Sequence, residues 1–160
     1  MPSAIRPVTP GNLAQVFSNA AFIHTFVAQH RPDPQSAPAV PQWIHLFDAV
    51  ALGESRQALE KVLAAGEHAD EVAGALAGGE AIGAPLHGRP VCVIEVGEVE
   101  GIGTILVGID EQGFRDRYEA AGGMGATGIA VDPLWAVFQD VAAAYAEAGD
   151  DELAMLTWSW

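Results

Sequence analysis

Four prolines, Pro32, Pro34, Pro38 and Pro41, fall between residues 32 and 41. Proline locks φ, lacks an N–H and pushes the residue before it out of the helical region. Residues 31–41 are therefore expected to form a stiff, extended linker. It divides the 160-residue chain into an N-terminal arm and a main body, residues 42–160. An arm of about 30 residues is too small to bury a core of its own. One domain over residues 1–160 is the expectation, with residues 1–41 as a helical arm and Pro-rich linker.

Whether the body folds depends on apolar content against charge. Half of the residues are apolar and the formal net charge is −14. Disorder needs low hydrophobicity as well as high charge, so a folded globule follows. The charge is uneven: residues 1–40 carry only Arg6, Arg31 and Asp33, and from Tyr118 to Trp160 there is no Lys or Arg. Binding to DNA, RNA or an anionic leaflet relies on Lys and Arg, so direct nucleic-acid binding is not expected. An acidic surface favours a basic partner. No uncharged apolar run of 18 residues is present, and no basic segment followed by an apolar one opens the chain. No membrane association and cytoplasmic residence are therefore expected. The Ala- and Gly-rich composition with Lys61 as the lone lysine suits a GC-rich bacterial genome.

Residues 1–11, with Pro2, Pro7, Pro10 and Gly11, read as an irregular lead-in. Asn12 is the expected N-cap of a helix running to about His30, with Leu13, Val16, Phe17, Ala20, Ile23 and Val27 as its buried stripe. Residues 43–52 read as a short helix. Ser55 is expected to cap a helix over 56–65 that ends at a left-handed Gly66, and a further helix covers 68–77. From Val91 the period changes to two. Residues 91–96 read as a strand, Gly97 through Gly101 as a hairpin loop and residues 102–109 as the partner strand. Phe114, Tyr118 and Ala121 favour a helix over 114–121, with a third strand as the alternative. Residues 126–131 read as a strand. Asp132 and Pro133 are expected as N-cap and first residue of a helix with core stripe Leu134, Val137, Phe138, Val141 and Tyr145, ending at Gly149. Residues 153–160 form a last strand. The fold class is α+β: N-terminal helices, then a small, mainly antiparallel sheet with helices packed on it.

Catalytic motifs are sparse. Gly123-Met-Gly-Ala-Thr-Gly128 matches the G-x-G-x-x-G text, but it follows an expected helix and precedes an expected strand. The pyrophosphate site requires the reverse order. None of His24, His30, His45, His68 and His87 has the spacing that places two metal ligands on one helical face. His24 reads as a hydrogen-bonded core histidine. Cys92, the only cysteine, lies in an apolar strand, where a thiol is structural rather than nucleophilic. No catalytic residue, cofactor or metal is assigned.

Two acidic groups remain: Glu95, Glu98 and Glu100 around the expected hairpin tip, and Asp150, Asp151 and Glu152 before the last strand. Trp158 and Trp160 follow, and tryptophan is enriched at interface hot spots. The expected function is a non-catalytic acidic protein-binding module, such as an immunity protein or inhibitor of a toxin, or an adaptor, engaging a basic protein through these eight residues. The alternatives are a small enzyme or ligand-binding domain with its site near Gly122–Gly128 and His87, and a structural homo-oligomer. For the two tryptophans, burial in the chain's own sheet is the favoured reading.

Overall fold

The computed structural model of the protein describes residues 3–27 and 47–160. The Pro-rich linker, His30, His45 and the first part of the helix expected over 43–52 lie outside them.

The fold is α+β, as the residue pattern implies, with helices on both faces of an antiparallel sheet; its strands β1 (Ser3–Val8), β2 (Val50–Ala51), β3 (Glu80–Ala81), β4 (Cys92–Ile94) and β5 (Ala154–Ser159) take the order β2-β1-β5-β4-β3. Strand β1, Ser3–Val8, is wholly buried, where an irregular lead-in was expected. It pairs along its whole length with β5, Ala154–Ser159, from Ser3 opposite Ser159 to Val8 opposite Ala154. Pro7 is tolerated because β2, Val50–Ala51, pairs only with Ala4 and Ile5. Among the described residues, one side of β1 is thus open at position 7, where a missing donor costs least. The helix expected over 43–52 is absent from its described part, which runs into β2 instead.

The arm's helix begins two residues before the expected cap. In α1, Pro10–Ser18, the N-cap is Thr9, whose Oγ1 accepts from the Asn12 N–H at 3.1 Å, and Pro10 opens the helix. Asn19 interrupts it, since its Oδ1 accepts from the Ala21 N–H at 3.2 Å and begins a 3₁₀ turn, Ala20–Phe22, leading into α2, Ile23–Val27. The break rotates the stripe: Val16, Ile23, Phe26 and Val27 are buried, whereas Phe17 is 72% exposed. His24 is exposed too, not a core histidine.

Helix α3, Ser55–Ala64, takes Ser55 as its first residue, and Glu54 precedes it without a side-chain cap. Gly66 has no left-handed backbone. It makes room for Arg117, whose guanidinium donates to the Leu63 carbonyl in the last turn of the helix at 3.3 Å and to the Glu67 carbonyl beyond it at 2.9 Å. Helix α4 is only Ala69–Val72.

The expected hairpin over 91–109 is corrected. Strand β4, Cys92–Ile94, pairs with β3, Glu80–Ala81, and with β5. Glu95 then turns the chain into helix α5, Val96–Val107. Val99, Ile102 and Leu106 recur at helical spacing and are buried, so the period of two ends at Ile94. The glycines that resemble a hairpin loop are helical. Helix α6, Glu111–Ala120, is capped by Asp110, whose Oδ1 accepts from the Gly113 N–H at 2.7 Å; the helical reading of 114–121 therefore holds. The strand expected over 126–131 is instead the short helix α7, Gly123–Thr127, followed by a loop. Helix α8, Val131–Asp150, starts one residue before Asp132, and Ala130 is its N-cap. Asp132 instead accepts from Arg115 at 2.6 Å.

Two cores result. Ile5, Ile94 and Met155 face α3, α5, α6 and α8; Ala4, Val93, Leu156 and Trp158 face α1 and α2.

Candidate functional site

Helix α5 places the glutamates. With a helical repeat of 3.6 residues, Val99, Ile102, Gly103 and Leu106 share its buried side. Gly97, Gly101, Thr104 and Gly108 line the exposed ridge. Glu98 and Ile105 fall on one flank of that ridge, Glu100 and Val107 on the other. The helix lies very close to α8, for which Gly103 is required: a Cβ there would lie 2.9 Å from the Tyr145 carbonyl oxygen, whereas one on Gly149 would meet the Glu100 Cα at 3.4 Å, in ordinary contact.

Each flank opens into a groove. The first, of about 420 Å³, runs between α5 and α8, with Glu100 and Asp150 at its rim and Gly103, Thr104 and Val107 along it. The second, of about 410 Å³, lies between α4 and α5, with Asp70, Glu71 and Glu98 around Gly101, Ile102 and Ile105. A third, beside β2 and α8, carries Asp48, Asp140 and Glu147. No Lys or Arg is among the described residues lining any of the three. Val107 is 60% exposed, so apolar surface accompanies the charge.

Two groups beside the grooves have shifted ionisation. His68 Nδ1 lies 3.1 Å from Glu71 Oε1, and that hydrogen bond holds the Glu71 carboxyl below the usual range. Tyr145 is fully buried beneath α5, and its hydroxyl donates to the Ala75 carbonyl at 2.5 Å. Burial raises its ionisation far above the ordinary range, and the charge of Glu98 adds to this.

Of the eight residues expected to meet a partner, the structure brings together Glu98, Glu100 and Asp150 across α5. Glu95 is exposed at the start of that helix, and Asp151 and Glu152 are exposed just past the end of α8. The tryptophans are elsewhere. Trp158 is 3% exposed and packs in the core on the α1–α2 side of the sheet; Trp160 is half-buried against the same core. Strand β5 lies between β1 and β4, so its edges cannot receive a partner strand. Trp158 is a core residue in the chain's own sheet, as the favoured reading has it, and not the partner contact of the alternative.

The Gly122–Gly128 loop and His87 do not form one site. Ile129, beside the loop, packs in the core on the α8 side. The turn carrying His87 follows Ala84, whose N–H donates to the Ala20 carbonyl on the other face. Within the loop, the Ala126 carbonyl accepts from Lys61 Nζ at 2.6 Å. The thiol of Cys92 is pushed up by burial, which keeps it protonated. Among the described residues, no three His, Cys, Asp or Glu side chains converge to hold a metal ion. No described helix is long and apolar enough to cross a membrane.

Asp70, Glu71, Thr104 and Tyr145 were missed by sequence reasoning. The signal was the helical spacing of Val99, Ile102 and Leu106, which puts Glu98 and Glu100 on opposite flanks. Comparisons with protein-family models, with curated proteins and with solved structures find no match to this chain.

Proposed function

We propose that this chain is a non-catalytic binding module that seats a Lys- or Arg-bearing surface of a partner protein across helix α5. An immunity protein or inhibitor of a basic toxin, or an adaptor, has this character. The observation that carries the reading is the pair of acid-rimmed grooves flanking one helix, with Glu98, Asp70 and Glu71 on one side and Glu100 and Asp150 on the other. The ridge between them is built of small residues, so a partner can approach the α5 backbone closely. Long basic side chains then reach carboxylates on both flanks while their stems cover Ile105 and Val107. Complementary potential of this kind raises the association rate and selects against acidic partners.

The test begins with affinity capture from the native host and purification of the recovered basic protein. Its association rate is then measured with the wild type and with Glu98→Gln/Glu100→Gln/Asp150→Asn across a salt series. The variant is expected to associate at least about tenfold more slowly at low salt, with the two rates converging as salt screens the field. Identical rates and identical salt slopes would exclude the α5 face.

A further inference from the structure

The face of the sheet opposite α5 has another character. It is covered by α1 and α2, and the segment after β3 packs beside them. There the Ala84 N–H donates to the Ala20 carbonyl at 3.1 Å, and Ala84 and Leu86 join the same core. The two stretches that build this covering, residues 9–27 and 82–88, contain no Asp, Glu, Lys or Arg. In a chain of which 18% is charged, they give a strongly acidic protein a neutral surface. Their ionisable side chains are His24 and His87.

That surface is also apolar. Phe17 of α1 is 72% exposed, more than any other large hydrophobic side chain among the described residues. Asn19 is the reason: it ends α1 and starts the 3₁₀ turn, leaving Phe17 outside the stripe that buries Val16 and Ile23. Ala14, three residues earlier and therefore beside Phe17 on the helix surface, is exposed too, as are Ala20, Ala21 and Pro85.

Charge decides what can cover such a face. A basic protein finds no carboxylate in either stretch. A bilayer-binding helix sets Lys and Arg beside its aromatic residues to engage anionic headgroups, and neither stretch has one. A second copy of the chain fits. Two molecules of net charge −14 repel each other through acidic surfaces, and the grooves beside α5 have no Lys or Arg among their described lining residues. The neutral face can meet its own image about a two-fold axis without opposing like charges. The α5 grooves then lie beyond the sheet, on the outer side of each copy. Packed layers stand about 10 Å apart, so several of them separate the two acidic faces, more than the Debye length of about 10 Å at 0.1 M salt.

We propose that the chain forms a two-fold homodimer through the α1–α2 face, with Phe17 of each copy buried against the other and both α5 faces directed outward. The dimer stands independently of the role given to α5.

The experiment is sedimentation equilibrium of the intact protein from about 1 to 200 µM, at about 0.1 and 0.5 M salt. A monomer–dimer equilibrium is expected, and it should tighten as salt screens the repulsion between like-charged chains. That sign is opposite to the one expected for a basic partner on α5. Phe17→Asp places a carboxylate on each side of the contact and should weaken dimerisation about thirtyfold or more, while circular dichroism shows the fold retained. Should that variant unfold, Ala14→Asp takes its place. Val107→Asp, the same change at a 60% exposed position of α5, should leave the dimer intact. A monomer at every concentration and salt, or equal dimerisation of wild type and the arm variants, would overturn the proposal. So would a dimer lost in Val107→Asp but kept in Phe17→Asp, which would put the contact on α5. Monomeric protein that adsorbs to phosphatidylcholine vesicles, and loses this in Phe17→Asp, would assign the face to a lipid surface instead.

Discussion

Gly103 of α5 faces the Tyr145 main chain of α8 so closely that a Cβ at position 103 would stand 2.9 Å from the Tyr145 oxygen. That contact belongs to backbone, which cannot rotate away. It sets the separation of the two helices and with it the width of the groove between Glu100 and Asp150.

Opposite signs are therefore expected for two similar changes. Gly101→Ala, on the exposed ridge with nothing within 4 Å of a new Cβ, should stabilise the protein by about 0.5–1 kcal/mol through helix propensity. Gly103→Ala gains the same propensity but forces α5 from α8, and overpacking of this kind costs about 1–3 kcal/mol. It should be net destabilising. Urea midpoints of the two variants decide it, and stabilisation by both would contradict the close approach.

Tyr145 should make stability fall at alkaline pH. Its folded ionisation lies well above that of an unfolded tyrosine, near pH 10. Above about pH 10 the unfolded chain therefore loses a proton that the folded chain keeps. Unfolding is then favoured by up to about 1.4 kcal/mol per pH unit. Below that pH the contribution is fully present. Tyr145→Phe should cost about 1–2 kcal/mol at neutral pH, because the Ala75 carbonyl loses its donor. Its stability should also decline less steeply above about pH 10 than that of the wild type. Parallel stability profiles for the two proteins would rule this out.

Arg6 is 5% exposed on the α1–α2 side of the sheet, donates to the Phe26 carbonyl and lies 5.8 Å from the centroid of the Trp158 ring. Burial lowers its pKa, against the opposing charge of Asp48. Arg6→Ala should cost about 2–4 kcal/mol through lost packing and the undonated Phe26 carbonyl, while Arg6→Met, which keeps the packing but leaves that carbonyl without its donor, should cost only about 1–2 kcal/mol. Trp158→Ala should cost about 3–5 kcal/mol and leave the salt dependence of partner association unchanged. Chemical denaturation of the three variants, with association rates for the last, checks both.

Local chemistry is legible in this chain wherever it is self-contained. Phe114, Tyr118 and Ala121 mark the helix over 114–121, and the stripe from Leu134 to Tyr145 marks one face of α8. Residues 153–160 read as a strand, and Ala154–Ser159 form one. Where the reading failed, the residues answer to partners remote in sequence. Pro7 looks like a strand breaker until β2 stops short of it, and Phe17 looks buried until Asn19 breaks the helix. The glycines of α5 look like a turn because a missing side chain has one local meaning, conformational freedom, and another that depends on packing, room for a neighbour. Gly103 has the second meaning, and its neighbour is α8.

Charge and apolar periodicity are properties of composition and local spacing, and they suffice for a folded, acidic α+β protein whose carboxylates are concentrated beyond residue 40. That Glu98 and Glu100 flank a groove-lined helix, that Trp158 is core and that Gly103 meets α8 follows from three-dimensional packing. Each depends on strand pairing and helix packing between distant segments. Those pairings are settled by the burial of the whole chain, which no local pattern encodes.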